Sequence, residues 1–324
     1  MTDFSLATPF TKQLGIQYPI ICGAMYPCSN PELVAAASAA GAIGVVQPVS
    51  MTYVYGHEFR AGLQLIKSLT DRPFGMNALI EQSSAMYRQR VEKWIDIALE
   101  EGVRFFVTSL GNPKWVVERT AQVGGIVYHD VTEAKWARKA IDGGVHGLIA
   151  VNNVAGGHAG PRSPEALLDE LRPFGLPIIC AGGVGDRDTF RRVMRMGYAG
   201  VQMGTRFIAT NECLAHPDYK QAIVNAEPKD IVLTERLTGV PVAVINNEYV
   251  RHLGTRAGPV ARYMLRHPKM KHWMRSYYAL TSLRRLKKSS LSSTGANEYW
   301  QAGKSVGGIH EVKSVKDIIS DFVS

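Results

Sequence analysis

Over the first two thirds of the chain, short apolar runs alternate with longer stretches whose apolar residues recur at a helical period. Eight of the runs have the length and composition of strands buried on both faces of a parallel sheet. They cover residues 19–24, 42–47, 74–80, 104–110, 125–130, 146–152, 177–183 and 200–205. Helices are predicted between them, including residues 31–40, 84–101, 114–123, 132–142, 164–171 and 187–196. Several open on start signals such as Thr132 and Ser163, and several close on glycine.

Strand runs and helical stretches alternate eight times, and no further strand run follows. This pattern predicts an α/β fold, a closed (β/α)8 TIM barrel. An open doubly wound sheet is the alternative. Residues 15–17 lack the glycine fingerprint that a dinucleotide-binding open sheet would carry there, so the barrel is favoured. The barrel is predicted to span residues 1–216.

The remaining third has a different pattern, with mixed helices and loops. It predicts a smaller, mostly helical C-terminal cap at residues 217–302, called the cap segment below. A return segment at residues 303–324 follows, and its amphipathic stretch 310–323 is expected to form the helix that closes the barrel.

Positive charge is concentrated in the cap segment. Residues 251–289 contain eleven Lys or Arg and no Asp or Glu, while the whole chain has a formal net charge of +9. Such a segment attracts an anion, or else it is a solvated helical face. A phosphate-bearing small molecule is favoured as the anion over nucleic acid or an anionic membrane.

Composition is typical of a soluble enzyme, because 324 residues with 46% hydrophobic content can bury a large core. The four cysteines have no metal-type spacing, which predicts reduced thiols, no metal site and a cytoplasmic location. No export signal is visible at the N-terminus. Residues 33–51 are apolar, but turn residues and Pro48 favour a helix-turn-strand unit over a membrane span.

Glycine-rich loops follow the last three predicted strands. They are Ala155-Gly156-Gly157-His158-Ala159-Gly160, Ala181-Gly182-Gly183 and Gly204-Thr205. Backbone N–H groups bind phosphate only where no side chain blocks the approach, and the loops after the last two barrel strands commonly form such a cradle. Next to this predicted cradle, His158 supplies an imidazole, a group that changes charge near neutral pH. The ordered set predicts an enzyme with a reactive side chain next to a phosphate site.

These loops, together with Gly75-Met76-Asn77 and the tail at residues 299–309, resemble the nitronate monooxygenase family, once called 2-nitropropane dioxygenases. That family includes flavin-dependent enoyl-acyl-carrier-protein (ACP) reductases and some quinone reductases. The resemblance implies a flavin mononucleotide (FMN) barrel with the isoalloxazine at the strand C-termini. The implied cofactor-binding residues are Gly23, Ala24 and Met25 at the ring, Asn77 at the ring or ribityl chain, Gly182, Gly183, Gly204 and Thr205 at the phosphate, and Ala155, Gly156, Gly157 and Ala181 beside them.

The resemblance also implies that His158 is the catalytic residue. In nitronate-oxidising members the corresponding histidine acts as a base or holds the anionic substrate, and in enoyl reductases it protonates or orients a thioester enolate. His129, at the end of the fifth strand, is interpreted as structural or as a support for a residue of the site, and a direct chemical role is disfavoured. Two features depart from the monooxygenase pattern: the loop Gly23-Ala24-Met25 is nearer to the reductase branch, and Lys304 replaces a glutamine.

Three functions stay open. The first is an FMN-dependent nitronate monooxygenase that oxidises alkyl nitronates with O2. The second is a reductase of an enoyl thioester (acyl-CoA or acyl-ACP) or a quinone, with NAD(P)H as co-substrate. The third is a basic, flavoprotein-derived binding module, against which the intact histidine and phosphate loops argue. A small-molecule substrate is expected and no nucleic-acid or membrane partner, while a CoA or ACP thioester and a homodimer stay open.

Overall fold

The computed structural model describes residues 4–80, 85–258, 263–264, 267, 270–292 and 299–324, without the side chains of residues 271–277, 279 and 280. Residue 84 of the predicted helix 84–101, and parts of the cap segment and of the basic stretch 251–289, lie outside the described residues. The predicted TIM barrel is confirmed, because eight parallel strands close into a barrel in chain order. The strands are β1 Ile20–Cys22, β2 Ile43–Val46, β3 Gly75–Leu79, β4 Phe105–Ser109, β5 Ile126–Val131, β6 Gly147–Val151, β7 Ile178–Ala181 and β8 Gly200–Met203.

The helices of the barrel follow the predicted alternation. They are α1 Pro9–Leu14, α2 Pro31–Ala39, α3 Phe59–Leu69, α4 Ala85–Glu100, α5 Lys114–Ala121, α6 Ala134–Asp142, α7 Pro164–Leu171, α8 Arg187–Met196 and the short α9 Thr205–Ile208. Ser163 caps α7, and its hydroxyl accepts from the Ala166 N–H at 3.2 Å. Helix α6 begins at Ala134 after Glu133, so its predicted start at Thr132 was two residues early.

Side chains inside the barrel come from alternate positions of each strand, as the two-residue period of a strand requires. Phe105 and Tyr128 lie in this interior, and Phe10 of α1 packs against both, with ring centroids 5.9 Å and 5.4 Å away. The Tyr128 hydroxyl donates to Gln13 of α1 at 2.7 Å. Helix α1 therefore covers one end of the barrel, and the chemistry is expected at the other end, where the strands finish.

The cap segment contains α10 Pro217–Asn225, α11 Glu248–Leu253 and α12 Met270–Leu291. It also contains an antiparallel hairpin, β9 Ile231–Thr234 and β10 Val242–Ile245, which the pattern of the sequence does not predict. The hairpin has its own small core, made of Leu237, Val242, Val244, Val250, Leu286 and Tyr299. A last helix, α13 Val315–Val323, lies within the predicted amphipathic stretch 310–323 and packs against α2 and α8.

None of the helices within the described ranges combines the length and the apolar character needed to cross a lipid bilayer.

Candidate active site

The loops that follow β6 and β7 are tied together by Asn152, a fully buried residue at the end of β6. Its amide nitrogen donates to the Gly182 carbonyl at 3.0 Å, and its amide oxygen accepts from the Val154 N–H at 3.0 Å. Its backbone carbonyl also accepts from the Gly160 N–H at 3.1 Å. Asn152 was not predicted as a site residue, although a polar residue that ends an apolar strand just before a glycine loop is a usable signal.

Gly182 and Gly183 both have backbone conformations that favour glycine, with φ of 115° and 85°. A Cβ atom on Gly182 would lie 2.4 Å from the Asn152 Oδ1, and one on Gly183 would lie 2.7 Å from a methyl group of Val154. From the sequence, close approach by phosphate is the predicted reason for this pair. Contact between the two loops already requires glycine at both positions, whatever else binds there.

Gly204 and Thr205 are less constrained by their neighbours. Among the described residues, a Cβ atom on Gly204 would meet only the flexible Met25 side chain, at 3.3 Å or more, and the φ of Gly204 is −112°. The first N–H groups of α9, at Thr205 and Arg206, have no acceptor within their own helix. The Thr205 hydroxyl accepts from the Gly303 N–H at 3.0 Å, which leaves its own proton to donate. These donors suit an anion.

The other predicted cofactor residues also lie at this end of the barrel. Gly23 follows β1, and its N–H donates to the Met203 carbonyl at 3.0 Å. Ala24 and Met25, next in the loop, are half-buried. Asn77 on β3 donates to the Val107 carbonyl at 3.2 Å. The backbones of Gly156 and Gly303 pack together, because a Cβ on Gly156 would lie 2.9 Å from the Gly303 nitrogen.

Ala155 and Ala181 are buried beside these loops, and Gly157 has a φ of 68°, with the Gln301 Oε1 at an ordinary contact distance of 3.9 Å from the position of a Cβ atom.

His158 follows Gly157 and is exposed to solvent. Its Nε2 lies 3.3 Å from the Thr238 hydroxyl, in the turn between β9 and β10. Desolvation by the surrounding protein nevertheless lowers the pKa of His158. The residue is thus open to solvent, while the protein packed around its ring disfavours the charged form. The imidazole is therefore neutral at neutral pH and is able to accept a proton.

Asp130 and Gln202 are interior residues that are not among the site residues predicted from the sequence. Asp130 follows the inward-facing Tyr128 by two positions on β5, so it also points into the barrel. It lies one layer nearer the mouth of the barrel, which is the end where the strands finish. Gln202 lies two positions after Gly200 on β8. A Cβ atom on Gly200 would face Ile179 and Phe10 in the interior, so the side chain of Gln202 points inward as well.

The Oδ1 of Asp130 and the Oε1 of Gln202 are inaccessible to solvent and have no hydrogen-bond partner among the described residues. Burial raises the pKa of Asp130 to about 7. Strand alternation on β5 could have identified Asp130 from the sequence.

His129 faces the opposite side of β5 from Asp130. It is buried, its Nδ1 lies 2.8 Å from the Thr108 hydroxyl, and desolvation lowers its pKa to about 4. This environment agrees with the structural interpretation of His129. Cys180 is likewise buried, which raises the pKa of its thiol to about 12.

The second half of α12 lies beside the mouth of the barrel. The Tyr26 hydroxyl, in the loop after β1, donates to the Leu283 carbonyl at 2.9 Å. Lys287 donates to the Tyr53 carbonyl at 2.9 Å, with its nitrogen 4.7 Å from the centre of the Tyr53 ring. Arg284 and Arg285 are exposed on the same helix. Part of the basic segment therefore presents exposed cationic groups next to the site.

A closed parallel barrel, with glycine loops and a neutral histidine at the C-terminal ends of its strands, defines an α/β-barrel enzyme. Comparison with known proteins gives the family. The chain belongs to the nitronate monooxygenase family, whose sequence profile matches residues 7–324. Members of this family are flavin-dependent oxidoreductases, as the resemblance implied.

Similar proteins include a 5-hydroxy-7a-methyl-1-oxo-octahydro-1H-indene-4-carboxyl-CoA dehydrogenase of Mycobacterium tuberculosis, 31% identical over 258 residues, which cover 78% of this chain and 70% of that protein. A nitronate monooxygenase of Pseudomonas aeruginosa is 28% identical over 71% of this chain and 77% of its own length. The structure of FabK from Thermotoga maritima superimposes with a TM-score of 0.80 at 28% identity, over 98% of this chain and 96% of FabK. A nitroalkane oxidase of Streptomyces ansochromogenes shares the fold, with a TM-score of 0.74 at 20% identity over 97% of this chain and 96% of that one.

The residues at the mouth fit a bound flavin nucleotide. The open donors at Thr205 and Arg206, next to the bare backbone of Gly204, suit a phosphate group. The unpartnered oxygens of Asp130 and Gln202 suit a ligand that brings N–H or O–H donors to the interior layer.

Proposed function

We propose that the protein is an FMN-dependent oxidoreductase that oxidises alkyl nitronates with O2, and that His158 accepts the proton when the substrate arrives as the protonated nitroalkane. The observation that carries the proposal is the exposed His158 imidazole, whose pKa is lowered by desolvation, beside a loop set that suits phosphate. A nitro group acidifies the adjacent C–H, so a base of ordinary strength is sufficient to remove that proton.

FMN would be held at both of its ends. Gly182, Gly183, Gly204 and Thr205 would hold the phosphate, with Ala155, Gly156, Gly157 and Ala181 lining the same side, while Gly23, Ala24, Met25 and Asn77 would contact the ring or the ribityl chain. When bound, the flavin supplies the site with an acceptor or donor of electrons. FMN is favoured over FAD because the sequence carries no dinucleotide-binding glycine fingerprint that would receive an adenylate.

The lowered pKa of His158 bears on its role. A histidine that holds an anionic nitronate by charge would have to be protonated at neutral pH, and desolvation opposes that. A neutral imidazole instead takes a proton from carbon, or returns one after protonation by solvent. We therefore assign His158 as the base rather than as an electrostatic anchor.

Replacement of His158 tests this assignment. His158→Ala should retain FMN and the fold while turnover of the nitroalkane falls by about 10²–10⁴-fold, the usual contribution of a positioned acid or base. His310→Ala is the matched control, because His310 is an exposed histidine of the return segment. Unchanged kcat/KM in a folded, FMN-loaded His158→Ala protein would reduce His158 to a structural residue. A preformed nitronate should be affected less than its nitroalkane, since its proton is already gone.

A second candidate function is oxidoreduction of a CoA thioester. Two observations favour it: relatives at 30–31% identity are named as CoA-thioester dehydrogenases, and Arg284 and Arg285 offer cations beside the mouth. The carbon next to a thioester carbonyl is also a carbon acid, so His158 would serve it in the same role. FabK, the solved relative at 28% identity, is a flavin-dependent enoyl-ACP reductase, which keeps NAD(P)H as a candidate co-substrate.

Anaerobic bleaching of the bound flavin separates the candidates. Bleaching by an alkyl nitronate alone supports the nitronate monooxygenase, whereas bleaching by a saturated acyl-CoA, or by NAD(P)H with reoxidation by an enoyl-CoA, supports the thioester enzyme. Arg284→Ala/Arg285→Ala should then raise KM for the acyl-CoA more than for its N-acetylcysteamine analogue, because only the former carries phosphates. Arg138→Ala/Lys139→Ala on α6 is the charge-matched control, since both residues are exposed on the barrel's outer helix layer.

A further inference from the structure

The hairpin of the cap segment contacts the loop that carries His158 at two points. The Ala243 N–H on β10 donates to the Gly157 carbonyl at 2.8 Å, which holds the backbone just before His158. Thr238, in the hairpin turn, places its hydroxyl 3.3 Å from the His158 Nε2. Backbone and ring of the proposed base are therefore both held by a segment outside the barrel.

The hydrogen-bond roles at Thr238 can be assigned by counting its protons. A threonine hydroxyl has one proton to donate and two lone pairs that accept. The Thr238 Oγ1 lies 2.8 Å from the Val240 carbonyl, which can only accept, so the single hydroxyl proton is used there. Toward His158 the Thr238 oxygen is therefore an acceptor, and its other lone pair faces the Val240 N–H at 3.4 Å.

An acceptor at Nε2 determines which imidazole nitrogen carries the proton. A neutral imidazole has one N–H and one lone pair, and the nitrogen that faces an acceptor is the one that carries the hydrogen. The Nδ1 of the neutral ring then holds the free lone pair.

We propose that Thr238 is a positioning residue that holds His158 as the Nε2–H tautomer and so makes Nδ1 the atom that accepts the substrate proton. The catalytic consequence rests on the proposed function, while the tautomer and the role of Thr238 do not. In the step itself, the C–H bond of the substrate breaks and a new N–H bond forms at Nδ1. The electron pair of the broken C–H bond stays on the substrate carbon. The ring becomes an imidazolium whose Nε2–H still faces the Thr238 oxygen.

Substitutions at Thr238 are suitable probes because the residue is only half-buried. Thr238→Val keeps the shape and removes the acceptor, whereas Thr238→Ser keeps the hydroxyl and removes a methyl group. Long-range proton–nitrogen NMR on protein with ¹⁵N-labelled histidine reports the tautomer, and the His158 signals are assigned by their absence in His158→Gln.

The full-length, FMN-loaded wild type and Thr238→Ser should show a single Nε2–H tautomer at His158, and Thr238→Val should show a mixture of both tautomers. In turnover assays kcat should fall by about 5- to 10-fold in Thr238→Val, the usual worth of one hydrogen bond, with KM unchanged and with Thr238→Ser near wild type.

Two NMR results would overturn the proposal: an Nδ1–H tautomer in the wild type, or the same single tautomer in Thr238→Val. An equal loss of kcat in Thr238→Ser and Thr238→Val would also overturn it, since that pattern indicates altered packing of the turn. If His158→Ala keeps full activity, the proposed function fails, but the NMR result still decides the role of Thr238.

Discussion

Asp130 gives the sharpest test of the interior layer at the mouth of the barrel. Its Oδ1 is shielded from solvent and has no partner among the described residues, and burial raises its pKa to about 7. We expect Asp130→Asn, which keeps the shape and removes the titration, to stabilise the flavin-free protein at pH values above about 7 relative to the wild type.

The size and sign of the effect follow from proton linkage. In the unfolded chain the carboxyl titrates near its ordinary value of 3.8, and in the folded protein near 7. The folded state therefore binds the proton more tightly, and this contribution to stability is complete below the unfolded pKa. It is lost as the pH rises toward the folded pKa. At about 1.4 kcal/mol for each pH unit, the full loss is about 4 kcal/mol, and partial solvation of this half-buried residue reduces it.

Urea unfolding at a series of pH values measures this loss. The free energy of unfolding of the wild type minus that of Asp130→Asn should fall by about 2–4 kcal/mol between about pH 4 and pH 8 and then stay level. Asp71→Asn serves as control, because the Asp71 side chain is 95% exposed and its removal should leave no such slope. A difference that stays flat across this range would show that Asp130 is solvated or paired in the folded protein, and the assignment of an unpartnered carboxyl would be wrong.

Two further predictions concern the glycine loops. Gly204→Val should leave a folded protein with much weaker FMN binding, because its φ is ordinary and, among the described residues, a side chain there meets only Met25. Fluorescence titration measures this, with Gly258→Val as control at a glycine that has no described atom within 4 Å of its Cβ position. Gly182→Ala should destabilise the protein even without flavin, by about 2 kcal/mol or more, because strain at positive φ adds to the contact with Asn152. Gly175→Ala has a positive φ in open space and isolates the strain alone, so equal losses in the two variants would contradict the proposed contact.

The barrel could be predicted from sequence because each of its strands is buried on both faces. Such strands give unbroken apolar runs, and all eight observed strands fall within one residue of the predicted runs or inside them. Helix starts were predicted less well where the residue before the helix is not a strong N-cap. Ser163 marks α7 correctly, whereas Thr132 lies before the first turn of α6. The N-cap hydrogen bond of Ser163 is a local property of the sequence, while the start of α6 depends on the path of the backbone after the end of β5.

The reasons for individual glycines were harder to predict. The sequence indicates that Gly182 and Gly183 must be glycine, but it cannot indicate which neighbour excludes a side chain. In the folded chain that neighbour is the loop after β6, through Asn152, Ala155 and Val154. The pair is therefore an ambiguous marker of a phosphate site, and Gly204, which packs against much less, is the more specific one.

The cap hairpin was missed for a related reason, and the omission bears directly on the site. Its strands are four residues each, and β9 is largely exposed or half-buried, so neither strict alternation nor a continuous apolar run marks it. Yet its turn supplies the acceptor for the His158 Nε2, and β10 binds the Gly157 carbonyl. The strongly patterned barrel positions the glycine loops, whereas the orientation of the proposed base depends on the segment with the weakest pattern. Two enzymes with the same barrel motifs can therefore differ in the protonation and orientation of the histidine, and their chemistry is best compared at the position of Thr238 as well as at His158.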